Sequence, residues 1–395
     1  MESQMKKIRF GIVGLGNQGT TYAKNLFAQG KIENGVISAM CDIDPSRAER
    51  MKETFPDVAY FSDYLEMLDS GLCDAVLIET PHYLHPEMAI ACFERKIPVI
   101  AEKPAGVYAL QVREMNAAAD RCGATFAVMF NQRTNCVYRK MREMVASGAV
   151  GELQRVVWVI TDWYRTQFYY DTGSWRATWD GEGGGVLINQ CPHQLDLVSW
   201  VVGQQPATVR GFCAYGKWHD VEVEDEVTAY FTYANGATGV FVTTTGETPG
   251  VNRLEISGTG GKLVVEGDKL LYYKNEQDAA EFSRTAQASF ARPKVVCEEV
   301  ETDGKNSQHA GIINNFANAL LGLEPFFVDG REGIRGVELM NAIEYSGWHN
   351  GEEVALPVDG EAYLKELKEH RAHSRRKTGN GAVSDTAGTY GSDVK

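Results

Sequence analysis

The chain has 395 residues, 44% of them hydrophobic, with 39 Lys and Arg against 53 Asp and Glu and a formal net charge of −14. This length and apolar content suggest two domains with real cores. The acidic balance argues against nucleic acid or an anionic membrane surface as partners, and no apolar run approaches the roughly 18 residues that span a bilayer. The amino terminus, MESQMKK, runs into the first strand without an apolar signal region, so no secretory signal is expected. Eight cysteines, none in a C-x-x-C pair, read as mostly buried thiols in a reducing cytoplasm rather than as a disulfide framework. Cys191 and His193 have no second Cys/His pair nearby, so no metal is expected.

The first predicted element is a buried strand over residues 8–13, followed by Gly14, Gly16 and Gly19 and then a helix over 20–27. This G-x-G-x-x-G lies between a strand and a helix. The first glycine makes the tight turn, the second lets the backbone approach a pyrophosphate, and the third lets the helix pack on the strand. Asn17 and Gln18 complete the loop, and the phosphates sit on the helix N-terminus. A second apolar run, 36–41, ends at Asp42, about 20 residues past the loop, where an acid binds the adenine ribose 2′-hydroxyl. An acid there repels a 2′-phosphate and favours NAD over NADP, although Arg47 is close enough to leave NADP open.

Asp44-Pro45 opens the next helix as cap and first residue. Ser62 is expected to cap a short helix through residue 68. Strands over 75–79, 99–101 and 125–129 then alternate with helices over 86–95 and 110–121. Such alternation means a parallel, doubly wound sheet, whose ligands lie beyond the carboxyl ends of the strands. Gly14, Asp42, Thr80, Pro81, His85, Glu102, Lys103 and Asn131 all follow strands, and they form the expected cofactor-binding set with Gly16, Asn17, Gln18 and Gly19. Lys103 precedes a proline, which restricts its backbone to extended geometry. At the mouth of a dinucleotide crevice its ammonium can bind a substrate hydroxyl and stabilise an alkoxide as hydride leaves.

A helix over 133–147 and a strand over 153–161 follow. Residues 163–180, WYRTQFYYDTGSWRATWD, have no clean period and read as a loop. Their aromatic faces and interleaved Arg and Asp suit a pyranose, and Tyr164, Arg165, Trp175 and Arg176 are the candidate substrate contacts. Residues 183–203 read as a helix with a glycine-rich entry. Asn189 and His193 share a face if that helix is continuous, but Pro192 either kinks it or marks its true start. His193 is the candidate general base for a secondary alcohol. From residue 206 the chain turns to strands, with a hairpin at Asn235-Gly236 joining 227–233 to 238–245 and further strands at 254–257, 262–266 and 269–273. Residues 274–305 carry no clear pattern. Residues 309–321 and 333–347 read as helices, with His309 as a further substrate candidate. The stretch from 374 to 395 reads as a disordered tail.

GIVGLGNQG, Pro81 with His85, AEKPAG at 101–106 and GGGVLINQCPHQLDL together resemble the Gfo/Idh/MocA family, that of glucose–fructose oxidoreductase and inositol dehydrogenase. The resemblance covers roughly residues 7–370. It implies an α/β protein with an N-terminal Rossmann domain (1–130) and a C-terminal α/β domain (131–373) carrying a large, mostly antiparallel open sheet. It also implies that Lys103 and His193 are catalytic, with Asn189 beside them, and that the free face of the C-terminal sheet makes a homo-oligomer. The family commonly has an aspartate where this chain has Asn189, which leaves Asp196, Asp180 or a different proton path as alternatives. The expected function is NAD-dependent oxidation of a sugar, glycoside or cyclitol. The aromatic loop favours a glycoside oxidised at C3 of its pyranose. The alternatives are an NAD-cycling glycosidase acting by oxidation and elimination, and a non-catalytic nucleotide-sensing regulator.

Overall fold

The computed structural model describes residues 6–379, which form two compact units. The first unit holds the chain through Asn131 and the later stretch Ser307–Val337. Its elements are β1 (Ile8–Val13), α1 (Asn17–Thr21) widening into a π-helical turn (Tyr22–Phe27), β2 (Gly35–Cys41), α2 (Pro45–Lys52), β3 (Ala59–Phe61), α3 (Tyr64–Asp69), β4 (Ala75–Ile78), α4 (His85–Glu94), β5 (Val99–Ala101), α5 (Ala109–Cys122) and β6 (Phe126–Val128). The six strands run in the order β3-β2-β1-β4-β5-β6, every pair parallel. The order reverses between β1 and β4, which makes that edge the switch point where such sheets bind nucleotides. β4 is AVLI and buried at every residue, as a strand covered on both faces must be. Asp44 caps α2 by accepting the Ser46 N–H. Asp63, rather than the expected Ser62, caps α3 by accepting the Leu65 N–H. α5 stops on Gly123, whose φ of 60° is left-handed.

The second unit begins with α6 (Cys136–Ala146) and β7 (Leu153–Ile160), continues through α7 (Gln167–Asp171), α8 (Val186–Asn189) and α9 (Pro192–Val202), and then enters the strands. These are β8 (Thr208–Tyr215), β9 (Glu224–Thr232), β10 (Thr238–Thr244), β11 (Asn252–Gly258), β12 (Gly261–Glu266) and β13 (Lys269–Asn275). The hairpin at Asn235-Gly236 joins β9 to β10 as expected. The patternless stretch 274–305 contains α10 (Ala279–Thr285) and the exposed strand β14 (Val295–Glu299). The nine strands of this sheet run β14-β13-β12-β11-β7-β10-β9-β8-β15, antiparallel except where β10 lies parallel to β7.

The chain then returns to the first unit for α11 (Gln308–Leu320), a stretch the sequence reading placed in the second domain. Asparagines hold it there. Asn314 donates to the Lys31 carbonyl (2.8 Å) and accepts from the Glu33 N–H (2.9 Å), and Asn34 donates to Asn318 (2.7 Å). α12 (Gly333–Trp348) carries the chain back to the second unit, which β15 (Val354–Ala355) and α13 (Gly360–Ala372) complete. Of the expected disordered tail, residues 380–395 lie outside the described residues. Residues 374–379 are bonded to the second unit: Ser374 to Glu222, the Arg375 N–H to Glu222 (2.6 Å), and the Lys377 ammonium to the carbonyls of Tyr170 (2.8 Å) and Arg176 (3.2 Å). Among the described residues no helix is long and apolar enough to cross a membrane.

One face of the second sheet is covered by helix. A Cβ on Gly211 of β8 would lie 2.2 Å from the Ile343 carbonyl oxygen of α12. The alternate positions stay outside, with Phe212 57% and Tyr230 40% exposed. Glu224 and Glu344 are among the buried acids of this unit. Glu224 accepts from the N–H groups of Gly185 (2.9 Å) and Leu187 (3.0 Å), closing the free end of α8, and Glu344 accepts from the Tyr363 hydroxyl. Burial pushes the Glu224 carboxyl from 4.5 up to about 7. A raised carboxyl contributes stability in full below its unfolded value and loses it as pH rises through the folded value. Unfolding free energy measured in urea should therefore fall between pH 4.5 and 7, with a contribution from this group of roughly 1.4 kcal/mol per pH unit. Glu224→Gln should flatten that slope.

Candidate active site

The first unit's site is built on the glycine loop. Gly14 has φ of 95° and donates its N–H to the Cys41 carbonyl (2.8 Å). A Cβ on Gly19 would lie 2.0 Å from the Gly14 oxygen, and one on Gly14 would lie 2.6 Å from the Glu79 oxygen. These two glycines are compulsory packing. Above Gly16 the nearest atom to a Cβ would be an Arg47 nitrogen at 3.8 Å, so that side is open. No side chain caps the helix start at Gly16, which leaves N–H groups for a phosphate. Asp42 is buried and accepts from the Leu15 N–H (2.7 Å), the Asp44 N–H (2.9 Å) and the Arg47 guanidinium (3.2 Å). A carboxylate has about four acceptor sites, so one remains for a ribose hydroxyl. Asp42 also ties the end of β2 to the loop, a task the sequence did not reveal. This constellation fits a dinucleotide.

The edge continues at the ends of β4 and β5. Glu102 accepts from the Tyr22 hydroxyl, from Gln18 (3.4 Å) and from the Lys103 N–H (3.0 Å). These bonds fasten the Lys103 backbone to the helix that follows the glycine loop. Lys103 is half-buried, and its charge reaches both His85 and His309. Thr80 and Pro81 form the loop after β4, with the Thr80 hydroxyl on the Met88 sulfur at 3.6 Å. His85, expected to touch the cofactor, is fully buried, and each ring nitrogen lies 2.8 Å from a backbone carbonyl, Pro104 on one side and Thr80 on the other. It braces the loops after β4 and β5 from beneath. Burial, then the Lys103 charge, holds its pKa below the usual imidazole value. Asn131 is buried and donates to Gln308 at the start of α11. His309, on the same helix, packs 5.5 Å from the Tyr22 ring. Burial, then the Lys103 charge, pushes it down to about 4, so it is neutral at pH 7.

In the second unit the expected 183–203 helix is broken. α8 ends at Asn189 and α9 starts at Pro192, so the proline marks a true start. His193 is the second residue of α9 and half-buried. Asn189 donates to Glu182 and accepts from Gln190 (3.1 Å) and the Tyr169 hydroxyl (3.3 Å). The carboxylate beside Asn189 is therefore Glu182, not either of the aspartates considered from the sequence. Asp196 forms a buried bidentate pair with Arg133 (2.8 and 2.6 Å), and Asp180 binds Arg371 (2.8 Å). Glu182 is buried and also accepts the Ala177 N–H (2.6 Å). An acid set among Gly181 and Gly183–Gly185 was the only sequence signal for it.

The aromatic loop divides. Tyr170 and Trp179 are buried in packing, while Tyr164 is 48% and Phe168 56% exposed. Between them, Arg176 donates to the Tyr169 hydroxyl (2.8 Å) and stacks over Trp175 at 4.8 Å. Arg165 lies 5.3 Å over the Tyr169 ring and donates to the Tyr164 carbonyl (2.9 Å). Tyr169, Glu182 and Gln190 thus join Arg165, Trp175, Arg176 and Asn189 in one polar and aromatic surface.

Two family descriptions match the chain. Residues 8–130 match the oxidoreductase family with NAD-binding Rossmann fold, and residues 138–264 match the GFO/IDH/MocA C-terminal domain. Together they cover well over half of the chain, which belongs to the Gfo/Idh/MocA family of oxidoreductases. Among curated relatives, the rhizopine catabolism protein MocA of Rhizobium meliloti is 26% identical over 52% of this chain, a match spanning 61% of its own length. Myo-inositol 2-dehydrogenase of Thermotoga maritima is 25% identical over 66% of this chain and 75% of its own. The crystal structure of the WlbA dehydrogenase from Chromobacterium violaceum, in complex with NADH and UDP-GlcNAcA, aligns with a TM-score of 0.76 at 26% identity, covering 90% of this chain and 98% of that one.

The glycine contacts carry a direct consequence. Gly19→Ala places a methyl 2.0 Å from a backbone oxygen that cannot rotate away. It should weaken NADH binding by at least about tenfold in a fluorescence titration and cost about 1–3 kcal/mol of stability, in the range of overpacking.

Proposed function

We propose that the chain is a dehydrogenase that uses NAD in preference to NADP and moves a hydride to or from a secondary hydroxyl of a sugar, glycoside or cyclitol. The observation that carries this reading is the fastening of Glu102-Lys103 to the glycine-loop helix through Gln18 and Tyr22, which presents a lysine at a nucleotide-binding edge. Gly14, Gly16, Asn17, Gln18 and Gly19 would hold the diphosphate, Asp42 the adenine ribose, and Thr80, Pro81, Glu102, Lys103 and Asn131 the remainder. The bound nicotinamide supplies the hydride acceptor or donor. The Lys103 ammonium binds the reacting oxygen and stabilises alkoxide character. The His193 imidazole takes the hydroxyl proton. Asn189, held by Glu182, binds and orients the substrate. A neutral amide cannot raise imidazole basicity as a carboxylate does, so in this reading the negative charge stands one bond further back, on Glu182.

Tyr164, Arg165, Trp175, Arg176 and His309 complete the proposed substrate set. Stacked guanidinium and indole faces suit the C–H faces of a ring, and the charged edges suit its hydroxyls. The inositol in the name of one relative and the UDP-GlcNAcA bound in another support a polyhydroxylated ring as the class. The aromatic surface favours a glycoside, with C3 as the oxidised carbon. The Arg47 guanidinium on Asp42 is 41% exposed and leaves limited use of NADP within reach. The outward face of the second sheet, with Phe212 and Tyr230, is the proposed contact for a homo-oligomer.

Absorbance at the reduced-nicotinamide band, with NAD and NADP tested separately on inositols, hexoses and glycosides, tests the reading. Net reduction is expected, faster with NAD. Glycoside cleavage with solvent deuterium entering C2 and no net NADH would instead identify an NAD-cycling glycosidase. His193→Ala should lower kcat by about 10²–10⁴-fold, the usual contribution of a general base, with NADH affinity unchanged. Asp42→Ala should narrow the preference for NAD over NADP.

A further inference from the structure

Glu79 ends the otherwise apolar run that forms β4, and it sits directly beneath the glycine loop. A Cβ on Gly19 would lie 3.4 Å from the Glu79 Cβ. The residue is 8% exposed, and neither carboxylate oxygen has a hydrogen-bond partner among the described residues. A buried carboxyl without a donor is costly as an anion. Its charged neighbour is Glu102, at the end of the adjacent strand β5.

The surrounding groups divide the work between the two acids. From the loop helix, Gln18 and the Tyr22 hydroxyl donate to Glu102. From the turn after β5, the Lys103 N–H donates to Glu102; burial raises the Glu102 carboxyl, and the Lys103 charge with these donors offsets part of that rise. Glu79 has none of these. Burial, then the Glu102 charge, pushes it well above the usual carboxyl range. Tyr22 stays protonated, since burial and both acids push it up. His309, packed on Tyr22, is pushed down to about 4 and is neutral, and burial and the Lys103 charge lower His85 from the usual imidazole value. Two buried like charges side by side do not both ionise freely, so one proton belongs to the pair, with Glu102 as the anion and Glu79 as the carrier.

We propose that Glu79 and Glu102 form a single proton-holding pair under the nucleotide loop that senses the charge of the bound nicotinamide. The pair keeps its proton beside the reduced, neutral ring and releases it to solvent beside the oxidised, cationic one. The inference rests on the NAD reading above. Its sign does not depend on the exact placement of the ring. Both cofactor forms carry the same diphosphate and differ only by one positive charge, which always favours the ionised pair. The hydride and the hydroxyl proton of the substrate are unaffected, because the pair exchanges its proton with water alone and no electrons move. By linkage, ionisation of Glu79 favours NAD⁺ over NADH, so the ratio Kd(NADH)/Kd(NAD⁺) rises with pH. A unit charge about 10 Å away at an effective dielectric near 20 changes such a ratio by about tenfold.

The test is to titrate the full chain with NADH and with NAD⁺ from pH 6 to 9, in the absence of substrate. The expected result is a ratio rising by about tenfold in the wild type and nearly flat in Glu79→Gln. Calorimetry in two buffers of different ionisation enthalpy should show more protons released on binding NAD⁺ than NADH, a measurement on the wild type that stands even if the variant does not fold. A flat wild-type ratio, equal proton release, or a Glu79→Gln ratio that keeps the wild-type slope overturns the pair as the sensor while leaving the NAD reading intact. Failure of either cofactor form to bind overturns both.

Discussion

The first unit depends on one close approach, that of the Gly19 α-carbon to the Gly14 carbonyl. Only hydrogen fits there. Because it fits, the helix begins against the end of β1 with its first N–H groups free of any side-chain cap. The neighbouring loops then attach to this turn: Asp42 through the Leu15 N–H, Glu79 through its backbone under Gly14, and Glu102 through Gln18 and Tyr22. A single steric constraint thereby registers the ends of β1, β2, β4 and β5, and Lys103 inherits its position from that registration.

Buried carboxyls are the second theme, and the protein handles them in three ways. Asp196 is neutralised by a two-point pair with Arg133, both almost fully buried. Glu224 and Glu182 are satisfied by backbone and amide N–H groups at glycine-rich turns. Glu79 has no donor, and its burial favours a proton over a charge. Acids kept by N–H groups organise loops, whereas an acid kept by a proton can respond to charge.

The candidate site was legible wherever polar residues follow a strand. The glycine spacing, Asp42 and the Glu102-Lys103-Pro104 triplet announce themselves because a parallel sheet presents its ligands at strand ends. His85, expected among the cofactor contacts because it follows β4, is buried with each ring nitrogen on a backbone carbonyl. Glu182 was invisible because its bond to Asn189 is set by how the glycines between them turn, and no period encodes that. Ser62 and Asp63 are both good caps, and only the local backbone chose the aspartate. Residues 274–305 hid an exposed strand, β14, that has no alternation because neither face is buried.

The sequence by itself determined the alternation of strands and helices in the first unit, the glycine turn and the hairpin at Asn235-Gly236, and it marked Pro192 as either a kink or a helix start. Each is a local consequence of backbone freedom or hydrophobic period. Only the tertiary structure decided that residues 307–337 belong with the first unit, which acid stands beside Asn189, and that Glu79 is left without a donor. Those outcomes depend on which distant groups are brought within about 3 Å of one another, and hydrogen bonds at that range carry no sequence period.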